Sequence, residues 1–272
     1  MLSIFNYFQF FIVGVCIGSF LNVVVYLLQN ELSIIKPRSF CPKCKTQLTW
    51  RENIPLISYL IQRRKCLHCN KSISFRYPLV EFLTGILFII FINSSPSFLI
   101  SNSNLFLNIF FNWIFLSLLI CIALIDIDSF WIPQGLINFG FLSGIFGLIF
   151  IGLFDNRYID LYLISKGLCT SLTAFFIFES FRNLAKYIFK KDAIGRGDSK
   201  LVAMLALWLG PIGTLFAVGI SYIIAAIFCL VGLSFNLVRY RQVIPFAPFL
   251  SLGGLIMWLL GNEFIFEKIL RI

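Results

Sequence analysis

Long apolar stretches recur along the chain, at about residues 7–28, 79–93, 105–125, 134–153, 161–181, 201–211, 213–234 and 246–261. A membrane helix needs roughly 20 such residues, and fewer where neighbouring protein shields it. The stretches at 79–93 and 201–211 are the short ones. Gly210-Pro211-Ile212-Gly213 is a turn signal that separates the sixth stretch from the seventh. The pattern predicts an all-α polytopic membrane protein with about eight transmembrane helices. The first stretch reads as an anchor rather than a removable signal: it is too long, no basic region precedes it, and no small-residue cleavage site follows.

Composition agrees. Of 272 residues, 59% are apolar and 12% charged, against roughly 25% charged in soluble domains. Mean hydropathy is +0.92, so lipid is the solvent for most of the surface. The net charge of +10 would suit a nucleic-acid partner, but its placement argues for topology. Lys and Arg are absent before Lys36, ten of them then fall between Lys36 and Arg76, six between Arg182 and Lys200, and a small group is Arg239 and Arg241. Such clusters between apolar stretches mark cytoplasmic segments. With the N-terminus outside, eight spans place 29–78, 126–133, 182–200 and 235–245 in the cytoplasm. The outer segments keep a Ser/Asn-rich loop at 93–104 and Arg157 offset by Asp155 and Asp160. The bilayer, not nucleic acid, is the expected partner. The chain divides into a first helix (1–28), a cytoplasmic insert (29–78) and a membrane core (79–272), with no internal repeat evident.

The insert carries its own chemistry. Cys41-Pro-Lys-Cys44 and Cys66-Leu-His-Cys69 form two CxxC pairs separated by 21 residues. Paired thiolates of this spacing make the tetrahedral sulfur set of structural zinc. About 50 polar, basic residues cannot build an adequate core, so a metal supplies the missing folding free energy. Two disulfides are the competing reading, which a reducing cytoplasm disfavours. His68 sits inside the second pair and is assigned no role. Cys16, Cys121, Cys169 and Cys229 lie in apolar stretches and read as small hydrophobes.

Two aspartate motifs flank the later stretches: Ile125-Asp126-Ile127-Asp128, and Gly195-Arg196-Gly197-Asp198-Ser199-Lys200. The threading brings Asp126 and Asp198 out at one membrane face. Two close carboxylates at low dielectric share one proton, because both cannot ionise cheaply. The charged member takes a proton from water while the neutral one polarises a peptide carbonyl. The flanking glycines let the backbone bend and a substrate strand approach. The plainer alternative is a helix cap at Asp198 and a solvated turn at Asp128. Ser19 and Asn22, one helical turn apart, suit helix packing better than ligand contact.

Several segments in order resemble the bacterial type IV prepilin peptidases, which are also N-methyltransferases. They are Gly18-Ser19-Phe20-Leu21-Asn22, the CxxC pairs, Glu52-Asn53-Ile54-Pro55, Arg76-Tyr77-Pro78-Leu79-Val80-Glu81, Asp126 to Pro133, the GRGDSKL run from Gly195 to Leu201, and Pro245 to Leu250. The resemblance implies an aspartic endopeptidase of the bacterial inner membrane with its active site at the cytoplasmic face. It also implies prepilins and type II secretion pseudopilins as substrates, cut after glycine, and S-adenosylmethionine as methyl donor. No glycine-rich dinucleotide fingerprint accompanies that cofactor, which rests on the resemblance. The family's first catalytic aspartate precedes a proline by seven residues, which selects Asp126 before Pro133 and pairs it with Asp198. Two departures are Leu27-Leu28-Gln29, where the family has a basic residue and Leu-Pro, and Ala247-Pro248-Phe249, where it has Gly-Pro-Phe.

Overall fold

In the computed structural model, which describes residues 4–33, 38–92, 105–151, 153, 161–190, 195–237, 239 and 242–264, the apolar stretches fold as helices. The helices are α1 (Ile4–Gln29), α2 (Ile57–Ile61, a short one within the insert), α3 (Arg76–Ile90), α4 (Leu105–Ser129), α5 (Gln134–Ile151), α6 (Leu161–Phe189), α7 (Arg196–Ser234) and α8 (Ala247–Phe264). Among the described residues no strand forms beyond two isolated bridges. The protein is all-α and multi-pass. Four helical segments are long and apolar enough to cross a bilayer, namely Phe5–Gln29, Phe106–Ser129, Leu161–Ile188 and Arg196–Ser234; Gln134–Phe150 and Ala247–Gly261 are shorter apolar helices. The loop at 93–104, Asp155, Arg157 and Asp160, and the basic residues Lys36, Lys191 and Arg241 lie outside the described residues.

The sixth and seventh stretches are two helices that meet at the turn expected at Gly210–Pro211 and are labelled α7 together. The chain turns back there: Cβ atoms on the adjacent Gly253 and Gly254 of α8 would meet Ala217 and Leu205, which continuous helix would hold ~18 Å apart. At the turn, Gly210 leaves helical geometry at φ 72°, ψ −179°. Only glycine adopts that conformation without strain, and Pro211 follows it because a helix's first residue needs no N–H partner. Thirty-nine residues of unbroken helix would reach ~58 Å, well beyond the ~30 Å of hydrocarbon; the turn at Gly210 gives two shorter helices side by side instead.

Two compact units emerge, Met1–Ile92 and Asn93–Ile272. In the first, α1 and α3 pack closely through glycine. A Cβ on Gly14 would lie 2.8 Å from the Gly85 Cα, and one on Gly18 would lie 2.8 Å from the Glu81 Cα. Small residues four apart let membrane helices approach to backbone contact. Gly14→Val is therefore expected to destabilise this unit by about 1–3 kcal/mol through overpacking. Gly219→Ala, whose Cβ meets nothing within 4 Å, should leave the melting temperature in detergent unchanged or raised.

In the second unit the opening half of α7 is the core. Residues Leu201 to Leu209 are all buried, as an element apolar on every side must be. Phe115 of α4 stacks on Trp208 (5.0 Å between centroids) and on Trp258 of α8 (4.3 Å). Both indoles are satisfied: Trp208 Nε1 donates to the Gly140 carbonyl at 2.9 Å, and Trp258 Nε1 to Asn112 Oδ1 at 3.0 Å. This helix meets protein rather than lipid, so its apolar length need not match the bilayer.

Candidate functional site

The two motif aspartates both belong to this second unit. Helix α4 does not stop at Ile125; it runs to Ser129 and ends where Phe130 turns left-handed at φ 55°. Asp126 therefore continues the buried face of Phe115, Leu119 and Ile122 and is itself buried. Asp128 lies ~200° further round the helix and is exposed. The Asp126 Oδ2 accepts the backbone N–H of Ala247 at 3.0 Å, the first residue of α8. An anion suits that position, where helical N–H groups point outward unpaired. Because the backbone makes this contact, alanine serves where the resembling family has glycine.

Asp198 is the third residue of α7 and is also buried. Its Oδ2 accepts the Gly195 N–H at 3.2 Å, so the plain capping role is real. The first turn is held from three other sides. Lys200 Nζ bonds Gln134 Oε1 at the start of α5, and Ser199 Oγ donates to Glu179 Oε2 of α6 at 2.9 Å. A Cβ on Gly197 would come within 3.1 Å of Ile132. The motif glycines thus serve close packing rather than a sharp bend: Gly195 is extended at φ −69°, ψ 145°.

Asp126 and Asp198 lie within each other's electrostatic reach, and Tyr222 lies within that of Asp198. Among the described residues neither Oδ1 accepts a hydrogen bond. Each acid therefore spends one oxygen on a helix N-terminus and keeps one for other chemistry. A cavity of about 490 Å³ runs between α6 and α7, with Thr173, Phe178, Val202, Thr214 and Tyr222 in its lining. Tyr222 thus borders both the cavity and the field of Asp198.

The cysteines meet in the first unit. All four are free, and their Sγ atoms lie within 4.8 Å of one another; a tetrahedral Zn–S distance of ~2.3 Å asks for ~3.8 Å between sulfurs. Each CxxC folds as the same tight loop. Cys41 N–H donates to Thr46 O and Lys45 N–H to Cys41 O; Cys66 N–H donates to Lys71 O and Asn70 N–H to Cys66 O, all at 2.9–3.0 Å. Lys45 and Asn70 both turn left-handed, at φ 60° and 55°. This local duplication is too short to register as a sequence repeat. Hydrogen bonds from the Thr46 hydroxyl and backbone pull the Cys44 thiol down to about 6, and backbone N–H groups of Cys69 and His68 lower Cys66. Against a lowering hydrogen bond from the Lys71 backbone, burial and the three neighbouring sulfurs push the Cys69 thiol up to about 11. It is therefore the gathering of four sulfurs at one point, rather than the acidity of each, that fits a divalent metal.

Comparison with known proteins agrees with both halves. The bacterial peptidase A24 N-terminal domain matches residues 12–94, and the type IV leader peptidase family matches 113–230. A type 4 prepilin-like proteins leader peptide-processing enzyme of Escherichia coli is 32% identical over 263 residues, 89% of each chain. A prepilin leader peptidase/N-methyltransferase of Bacillus subtilis is 33% identical over 255 residues, 94% of each chain. The chain belongs to the type IV leader peptidase family. A prepilin leader peptidase/N-methyltransferase of Myxococcus xanthus is 35% identical over 207 residues, 73% of this chain and 55% of that longer one. No solved structure matches the chain.

Within this family frame the other sequence candidates take structural places. Asn22 Nδ2 donates to the Tyr77 carbonyl at 3.1 Å and Ser19 bonds Glu81, so both bind α1 to α3 as the packing reading expects. Glu81 is buried, and its Oε2 accepts the N–H of Leu56 at 2.8 Å. Leu56 is left-handed at φ 59°, so the carboxylate holds a strained turn of the insert. His68 Nε2 sits 3.1 Å from Glu52 Oε1. The residue that sequence reading passed over is Glu179, an acid within the apolar stretch 161–181. Its signal was present, since an ionisable group inside a membrane helix points to function by default.

Proposed function

We propose that this protein is an intramembrane aspartic endopeptidase that removes the basic leader from type IV prepilins and type II secretion pseudopilins after glycine. It then methylates the new N-terminus. The reading is carried by one observation: Asp126 and Asp198, buried on α4 and α7, fall within each other's electrostatic reach. Both lie in the segment matched to the leader peptidase family, residues 113–230. With one proton between them, the charged carboxylate draws a proton from water and the protonated one donates to the scissile carbonyl. Burial keeps bulk water away and strengthens both interactions. The relatives' names supply the substrate class.

The same reading has eight spans, α1, α3 to α6, the two halves of α7, and α8, with the acids at the cytoplasmic face of the inner membrane. The domain division is 1–28, 29–78 and 79–272. Cys41, Cys44, Cys66 and Cys69 hold zinc, which would cross-link two loops of an insert lacking a core of its own. S-adenosylmethionine is the family's methyl donor. The apolar cavity between α6 and α7 does not fit it, because its amino-acid end and ribose need charged and hydrogen-bonding partners.

The test is to reconstitute the purified protein in vesicles with a prepilin and S-adenosylmethionine, and to determine product masses. A mature pilin cut after glycine and carrying one methyl group is the expected product. Recovery of intact prepilin from correctly folded enzyme would contradict the reading.

A further inference from the structure

Glu179 has no part in the acid pair, yet it is tied to the turn that carries Asp198. Its Oε2 accepts both the Ser199 hydroxyl at 2.9 Å and Arg182 Nε at 3.0 Å. Arg182 Nη2 pairs with Glu179 Oε1 and also donates to Asn183 Oδ1 at 3.1 Å. The charge of Arg196, two residues before Asp198, acts on Glu179 as well. An ion pair alone would satisfy Glu179 and Arg182. The Ser199 contact is additional, and Ser199 is fully buried.

That contact is also unlike most buried hydroxyls in this chain. Thr84, Ser143, Thr214 and Ser221 bond back to carbonyls of their own helix. Ser199 instead reaches from α7 to α6, and Ser171 Oγ reaches from α6 to the Ala203 carbonyl of α7 at 2.8 Å. Ser199 and Ala203 are one turn apart, so α6 grips the opening of α7 at two successive levels. A helix held at two points on one face cannot rotate about its axis. Rotation is the motion that would swing Asp198 away from Asp126.

We propose that Glu179 is a positioning residue for the acid pair, acting through Ser199 to fix the rotation of the first turn of α7 and hence the direction in which Asp198 faces Asp126. The proposal rests on the peptidase reading. A displacement of about 1 Å at a reacting group costs up to about a hundredfold in rate.

Ser199→Ala is the decisive variant, because it cuts the link while leaving the Glu179–Arg182 pair intact. Measured on full-length protein in vesicles with a prepilin peptide, kcat should fall about 10- to 100-fold, with KM and melting temperature unchanged. Glu179→Gln keeps an acceptor for Ser199 and should retain more kcat than Glu179→Ala. Adding Ser199→Ala to Glu179→Ala should cost nothing further, since the link is already gone. Wild-type kcat in Ser199→Ala beside an inactive Asp198→Asn would overturn the positioning role alone. A rise in KM without loss of kcat would also overturn it, marking Glu179 as a contact for the basic leader. An active Asp198→Asn would overturn the acid-pair reading itself, and this proposal with it.

Discussion

Replacing Asp126 or Asp198 by asparagine is expected to lower prepilin cleavage about a thousandfold or more. General acid–base catalysis by a positioned group accounts for about 10²–10⁴ in rate, and neither acid can cover for the other. Asparagine is nearly isosteric, and its oxygen can still accept from Ala247 at one site and from Gly195 at the other. Folding should therefore survive, with a modest loss from the weakened interaction with each helix N-terminus. Asp128→Asn, on the exposed side of α4, should cleave at the wild-type rate. A gel-based processing assay in membranes, normalised to the amount of folded enzyme, separates these outcomes. Full activity in both single variants would remove the acid pair from the mechanism.

The second large effect concerns the four cysteines. Metal analysis of purified protein should find about one zinc per chain, and Cys66→Ser should reduce it to near none. Structural zinc contributes roughly 10–16 kcal/mol of apparent binding free energy in small zinc-dependent folds. Little else holds this segment. Trp50, Leu60, Ile61 and Leu67 are exposed there, and Tyr59 is one of few buried apolar side chains besides the cysteines. Without metal, residues 38–75 should become sensitive to protease, as should the wild type treated with a strong chelator. A zinc-free wild-type protein with four freely reactive thiols and a protease-resistant insert would contradict the zinc assignment.

Much of this was legible in the sequence, for reasons that differ between elements. Helix positions could be read because lipid demands long apolar runs and closes off other backbone solutions. The boundaries of α5 and α8 follow the apolar runs to within a few residues. The division of α7 was legible too: Gly-Pro signals a turn, and the chain turns back there, bringing Tyr222 within electrostatic reach of Asp198. The choice of Asp126 came from resemblance to a family, although the periodicity of Phe115, Leu119 and Ile122 would also have selected it. The end of α4 hid that argument, because IDID reads as the edge of a span rather than its continuation. Glu179 was legible as an acid inside an apolar stretch, but its partner Ser199, 20 residues away, was not. The paired cysteine loops were evident as ligands, but their shared backbone turn was not, since Lys45 shows no local sign of a left-handed conformation.

The central claim is that Asp126 and Asp198 act as one unit. The most direct measurement is the single-turnover cleavage rate of Asp126→Asn, Asp198→Asn and the double variant, on one prepilin substrate in the same vesicles. If the acids share one proton and one water, either substitution ends their joint action, and all three variants should show the same residual rate. Losses that add in the double variant, or a wild-type rate in either single one, would contradict the account.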